Sequence, residues 1–327
     1  MQIAHGSSAS DRPLAVTIGN FDGVHRGHQA MVARTVAVAR ARGLGAAALT
    51  FEPHPREVFG AQSAPTRLTA LRDKLLRLAT LGLDRVHVER FSRRFAAMSP
   101  QEFVDRVLVD TLHARWVLVG ADFCFGARRA GTVERLRELA GTRGIDVEVI
   151  GDVLQDGQRI SSSAIRDALA HGDLARAQNL LGRHFSISGK VVHGQKLGRT
   201  LGFPTANIQL KHNRPPLLGI YAVKVHGISV GAASRDAPGT TVHDGVASLG
   251  YRPTVSNDRR ASLEVFVFDF AGDLYGQHLS IEFVAKLRDE ETYKGLPELK
   301  IAIARDCEHA LRVLRAPLTA GSARSHA

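Results

Sequence analysis

The chain is poor in several features that mark specialised folds. Among 327 residues it has two cysteines, one tryptophan, four tyrosines and three methionines, and its 32 acidic residues are outnumbered by 43 lysines and arginines. Cys124 and Cys307 form neither a disulfide framework nor a cluster with metal-ligand spacing, so a reducing cytoplasm is the expected setting. No apolar run approaches the roughly 20 residues of a membrane-spanning helix, and residues 1–11 are polar, without the apolar stretch of a secretory signal. No membrane partner is expected. A G-x-x-x-x-G-K-[ST] loop is also missing, so any phosphate transfer must rest on another device.

What remains is ordinary for a globular protein: 44% hydrophobic and 23% charged residues. The length predicts two domains, each able to bury a core. The net charge of +11 is compatible with nucleic-acid binding. However, the arginines of the stretches 67–77 and 134–143 are interleaved with acids and form no dense basic tract. A positive field serves phosphorylated small substrates equally well.

The most informative segment runs from Leu14 to His28. Leu14–Ile18 reads as a buried strand, Gly19 and Gly23 permit a tight turn, and a helix is expected from about Gly27 to Arg42. His25 and His28, three apart, share one face of its first turn. There the unpaired backbone N–H groups and the helix dipole favour anions, and the imidazoles can add charge-assisted hydrogen bonds as negative charge builds in a transition state. Gly27 lets a phosphate come close. By contrast, Gly43-Leu-Gly-Ala-Ala-Ala48, which fits a dinucleotide-binding pattern, follows a helix and precedes a strand, the reverse of what that fingerprint requires.

The first half alternates strands and helices: a strand at 46–51, a helix at 69–81 carrying Leu71, Leu75 and Leu78, and a capped helix after Ser99-Pro100-Gln101-Glu102. A strand at 116–119, a helix at 132–143 and a strand at 147–150 follow. This grammar predicts a parallel sheet with helices on both faces. After about residue 181 come short strands at 185–192, 220–225, 246–249, 263–270 and 279–287, which predict a small antiparallel barrel. A closing helix is expected at 296–314, and 232–243 is expected to be a flexible loop.

Other constellations carry chemistry. Ser161-Ser162-Ser163 precedes an apolar helix whose first turn holds Arg166, an arrangement that can bind phosphate oxygens. Phe51-Glu-Pro-His54 and Asp122-Phe-Cys-Phe125-Gly each follow a strand, which places them at the carboxyl end of the sheet. With the histidine segment they resemble the nucleotidyltransferase superfamily. Gly189–Gly194, Gly198–Asn207 with its Pro204-Thr205-Ala206-Asn207, Gly219-Ile-Tyr221, Gly250–Thr254, Glu264–Phe270, Asp273–Gly276 and Leu287–Glu290 extend the likeness over about 14–311. Together these residues closely resemble the bacterial bifunctional riboflavin kinase/FAD synthetase family.

The resemblance implies a Rossmann-type nucleotidyltransferase domain at 12–182, which makes FAD and pyrophosphate from FMN and ATP. A riboflavin kinase barrel with a C-terminal helix is implied at 183–315, and 1–11 and 316–327 are expected to be disordered tails. In the first domain His25 and His28 are implied as catalytic. Gly19, Asn20, Phe21, Asp22, Gly23, Ser162, Ser163 and Arg166 would hold ATP, and Phe51, His54, Asp122 and Phe125 would line the FMN pocket. In the second, Glu264 is implied as the base for the ribityl hydroxyl of riboflavin. Its strand neighbours Phe266 and Phe268 suggest an apolar setting that raises a carboxyl pKa. Thr205 and Asn207 would hold Mg2+ with ATP, and Gly194, Lys196, Gly198, Gly202, Pro204, Arg252 and Arg288 would contact ATP or flavin, with 194–202 as a flap. A salt bridge from Arg288 to Asp289 or Glu290 is the other reading of that arginine. Thr132, Phe266 and Tyr293 depart from the family's common residues.

Two rivals stand beside this reading: a nucleotidyltransferase for another phosphorylated acceptor with a flavin-sensing barrel, and a basic nucleic-acid-binding protein. Riboflavin, FMN and ATP are the expected partners, without nucleic acid. The oligomeric state, a homo-oligomer included, is left open.

Overall fold

The computed structural model describes residues 1–60, 64–194, 197–212, 214–229, 241–252 and 260–316. Its contacts divide the chain into two compact units, one from 1–167 with 179–182, the other from 168–178 with 183 onward.

The first unit is a six-stranded sheet of β1 (Gln2–His5), β2 (Leu14–Ile18), β3 (Gly45–Glu52), β4 (Arg85–Arg90), β5 (Ala114–Gly120) and β6 (Asp146–Ile150). The order is β1-β4-β3-β2-β5-β6 and every pairing is parallel. Such a sheet is covered on both faces, and β2 and β3 are accordingly runs of buried residues. The pleat sends Val16, Ile18, Val117 and Val119 to one face, against Leu108, Leu112, Leu136 and Leu139. Ala15, Ala46, Trp116 and Leu118 go to the other, against Val32, Ala39 and Leu78. The strand order reverses between β2 and β5, which opens a crevice beyond their carboxyl ends.

The segment 1–11, expected to be a disordered tail, is not one. Gln2–His5 pairs with Arg85–Val88 of β4 and buries Ala4. Neither strand announces itself: β1 has four residues, and Arg85-Val-His-Val-Glu-Arg90 is charged at both ends although its first four residues are buried. The box at Ser99 forms as expected, Ser99 Oγ accepting from the Glu102 amide and Glu102 from that of Ser99. The helix beyond it widens to a π-helix over Val104–Thr111, which its periodicity does not reveal.

A hairpin of β7 (Leu154–Gln155) and β8 (Gln158–Arg159) precedes the helix Ser162–Ala170. The second unit holds β9 (Phe185–Val192), β10 (Thr205–Ile208), β11 (Gly219–His226), β12 (His243–Arg252), β13 (Arg260–Val267) and β14 (His278–Arg288). They close into an antiparallel barrel in the order β10-β13-β12-β11-β14-β9. Tyr221, Val223, Leu249, Val265, Ile281 and Phe283 are buried in this unit. The helix Leu296–Arg315 buries Cys307 and Ala310 against Ile220, Ala222, Val246 and Phe268. The expected loop at 232–243 and tail at 316–327 lie almost wholly outside the described residues.

Candidate active sites

After β2 the chain turns through 19–24 into the helix Arg26–Arg42. The turn is strained, with positive φ at Phe21 (49°), Gly23 (89°) and Val24 (42°). For non-glycine residues this costs roughly 1–3 kcal/mol each and survives only where packing over-determines the backbone. Phe21 and Val24 are fully buried. His25 caps the helix: its Nδ1 accepts from the His28 amide at 3.3 Å. The two imidazoles stack at 3.6 Å and 16°, with the Phe21 ring 5.2 Å from His28. A Cβ on Gly27 would lie 3.2 Å from the His25 ring, so this position favours glycine.

Burial, then the His25 ring and the Lys74 ammonium, hold His28 well below the usual imidazole pKa. The His28 ring is therefore neutral near pH 7 while no anion is bound. Contact with a polyanion is the event that can restore its proton.

Asp22 and Arg166, expected at the triphosphate, are engaged with each other. Asp22 accepts from the Leu68 and Thr69 amides, from Thr69 Oγ1 and from Arg166 Nη2 at 2.6 Å, and Arg166 Nε donates to the Thr66 carbonyl. Ser162 Oγ donates to the Asp22 carbonyl at 2.9 Å. These contacts bring the histidine turn and the serine helix together, with Asp22 as a structural hub. Asn20 accepts from Thr50. Ser163 is exposed on the first turn of its helix.

Of the FMN-pocket candidates, Phe51 and Phe125 border one apolar cluster, whereas His54 and Asp122 have polar partners. His54 caps the helix Pro55–Phe59 by accepting from the Arg56 amide, and burial followed by the Arg67 guanidinium lowers its pKa to about 4. Phe125 belongs to the core, stacked on Phe123 at 5.6 Å. Asp122 is exposed and pairs with Arg159 at 3.1 Å, whereas Phe51 packs edge-on to Phe91 at 5.8 Å.

In the barrel, Asn207 lies directly across from Glu264 and Thr205 across from Phe266, so all four share one face of the sheet. Thr205 Oγ1 donates to Glu264 Oε2 at 3.1 Å, and Ser262 Oγ reaches Oε1 at 3.5 Å. These hydroxyls make the setting of Glu264 more polar than its phenylalanine neighbours suggested. Phe266 stands edge-on to Phe203 and Phe268. The face opens on a cavity of about 740 Å³ that also reaches the Leu296–Arg315 helix. Val246, Phe266, Leu299 and Ile303 give it apolar walls, and Thr205, Ser248, Glu264 and Arg288 gather polar groups.

Two glycines shape the approach. A Cβ on Gly194 would fall 2.3 Å from Asn207 Nδ2, and one on Gly198 would fall 2.3 Å from the Phe203 carbonyl and 3.3 Å from Thr205 Oγ1. Gly202 turns the chain with φ at 90° just before Pro204. Arg288 is held by neither expected neighbour's carboxylate: Asp306 takes it bidentately at 2.9 and 2.7 Å, across from the closing helix. Lys196 and the side chain of Arg252 lie outside the described residues. Thr132 caps the helix Val133–Gly141 by accepting from the Arg135 amide, and Tyr293 lies under the Arg288 guanidinium at 5.8 Å.

A model of FAD synthetase matches residues 7–164 and a model of riboflavin kinase matches residues 181–314. Proteins named bifunctional riboflavin kinase/FMN adenylyltransferase are 45% identical in Escherichia coli strain K12, over 92% of each chain, and 45% in Pseudomonas fluorescens, over 96% of each. The Bacillus subtilis protein of that name is 36% identical over 91% of each chain. The chain belongs to this bifunctional family. A crystal structure described as a macrolide-efflux protein from Streptococcus pneumoniae also matches, with a TM-score of 0.76 and 27% identity over 95% of this chain and 98% of that one. Among the described residues no helix is long and apolar enough to cross a membrane.

Within the FMN adenylyltransferase unit the sequence reading missed a layer beneath the turn. Arg67, almost fully buried, bridges Glu52 at 3.0 Å and Glu57 at 2.6 Å, and Lys74 donates to Thr50, which donates to the Asn20 carbonyl. The signal was present for Lys74, a charge three residues after Leu71 and four before Leu78, on an apolar helical stripe. In the riboflavin kinase unit Asp306 was missed likewise, three residues after Ile303 and four before Ala310.

Proposed function

We propose that the chain phosphorylates riboflavin to FMN on the barrel and adenylylates FMN to FAD at the carboxyl end of the parallel sheet. The observation that carries the first step is the juxtaposition of Thr205, Asn207 and Glu264 on one face, with Thr205 and Glu264 lining a cavity of mixed apolar and polar walls. Glu264 takes the proton of the ribityl hydroxyl as its oxygen attacks the γ-phosphorus of ATP, and ADP leaves. The Thr205 hydroxyl and Asn207 carboxamide are hard oxygen donors side by side and fit Mg2+, which when bound screens the phosphate charge. Gly194 and Gly198 let the backbone pack directly on Asn207 and on the Phe203 carbonyl, where a side chain would clash.

In the second step a phosphate oxygen of FMN attacks the α-phosphorus of ATP and the bond to pyrophosphate breaks. The attacking group is already an anion, so no base is required. His28 and the helix N-terminus at His25 supply donors as charge builds at the α-phosphate, with Ser163 on the facing helix start. Asp22, Ser162 and Arg166 fix the geometry between the two helix starts. Riboflavin, FMN and ATP are the small-molecule partners, and a reducing cytoplasm suits the free Cys124 and Cys307.

The test is incubation with riboflavin, ATP and magnesium followed by chromatography of the flavins. Glu264→Gln should lower FMN formation by roughly 10²–10⁴-fold and leave FAD formation from supplied FMN intact. His28→Ala should do the reverse. Loss of both activities in either variant contradicts the division of labour.

A further inference from the structure

The least expected group in the first unit is Lys74. It sits mid-helix in Leu71–Ala79 with only 1% of its surface exposed, three residues after Leu71 and four before the buried Leu78. An ammonium offers three donors, yet among the described residues a single oxygen lies within hydrogen-bond distance, Thr50 Oγ1 at 3.3 Å. Burying a charge so sparsely bonded is unfavourable, and a leucine or methionine would pack there without it. Folding alone gives no reason for the lysine.

Its position gives one. Thr50 passes the contact on by donating to the Asn20 carbonyl at 3.2 Å, inside the strained turn that delivers His25 and His28. We propose that Lys74 is a positioning residue for adenylyl transfer, holding the turn through Thr50 and lending its positive charge to the polyphosphate site from beneath. This rests on the assignment of FAD synthesis to that site.

The electrostatics agree. Burial brings the Lys74 pKa down to about 8, with the Glu52, Asp22 and Glu57 carboxylates opposing and Arg67 reinforcing, so the group remains charged at pH 7. Burial first, then His25 and lastly the charge of Lys74 hold His28 neutral. An incoming triphosphate offsets the field of Lys74 and lets the His28 imidazole take a proton where the charge develops. Lys74 touches no reacting atom; it acts through Asn20 and His28.

The experiment compares full-length wild type with Lys74→Met and Thr50→Val. It reads FAD formation from supplied FMN, riboflavin phosphorylation, Tm, and the NMR titration of the His28 ring. In Lys74→Met the kcat for FAD formation should fall about 10- to 100-fold. FMN formation should be unchanged, Tm equal or higher, and the His28 titration displaced to higher pH. Thr50→Val, which keeps the charge and cuts the relay, should lower kcat without displacing that titration. The proposal is overturned if Lys74→Met makes FAD within about twofold of wild type, if both activities and Tm fall together, or if His28 titrates unchanged. A wild-type chain that makes no FAD refutes the activity assignment instead, and the His28 titration still reads whether Lys74 acts on that ring.

Discussion

Replacement of Asp22 by alanine tests whether this residue organises the adenylyltransferase site or contacts nucleotide. Its side chain is 3% exposed and accepts from two backbone amides, one hydroxyl and the Arg166 guanidinium. Truncation leaves those amides without their acceptor, at about 1–3 kcal/mol each, and strips Arg166 of its counter-charge. Breaking a buried ion pair by removing one partner costs about 3–5 kcal/mol. The two figures describe overlapping losses, so about 3–5 kcal/mol is the expected total. For a unit of this size that lowers Tm by roughly 6–20 °C. Asp22→Asn keeps an acceptor for the amides and loses only the charge, so its Tm should fall between the two. Calorimetry on the full chain reads the transition, and FMN formation from riboflavin monitors the other unit. FAD synthesis should fall with Tm, and FMN synthesis should persist. If Asp22→Ala melts within about 2 °C of wild type yet binds ATP poorly, Asp22 meets the ligand directly and the reasoning fails.

Acid sensitivity provides a second test. Folded His54 gains its proton only near pH 4, whereas the unfolded chain gains it near 6.5. Between those values the unfolded chain binds more protons, so stability falls as pH falls, at up to about 1.4 kcal/mol per pH unit. His54→Asn retains an acceptor for the Arg56 amide and removes the titration. Urea midpoints from pH 4.5 to 7 should therefore vary less with pH in the variant, and parallel profiles would contradict this origin. A third test is Gly194→Ala, which drives a methyl group into the Asn207 carboxamide. kcat/KM for magnesium-ATP in FMN formation should fall about tenfold while FAD formation is unaffected, and an unchanged kcat/KM would remove Asn207 from the site.

Much of the site was legible because its chemistry is local in sequence. The spacing of His25, Gly27 and His28, the Ser161–Ser163 start and the Pro204–Asn207 run name groups that sit together on one turn or strand. The Ser99 box formed because both of its hydrogen bonds lie within four residues. Roles were less legible than places. Asp22 was expected at the triphosphate, and its partners Leu68, Thr69 and Arg166 are remote in sequence, whereas the Arg56 partner of His54 is local.

By itself, then, the sequence determined two units, a parallel sheet followed by a barrel, and where the residues proposed to grip phosphate stand along the chain, because strand and helix periodicity and turn chemistry are short-range. Tertiary structure alone decided which of those residues are spent on one another. It set Glu264 across from Asn207 and made Asp306, not a near neighbour's carboxylate, the bidentate partner of Arg288. It also buried Lys74 beneath Asn20. Register, burial and the field at a buried charge depend on groups that meet only when distant segments pack, and no local pattern encodes which groups those will be.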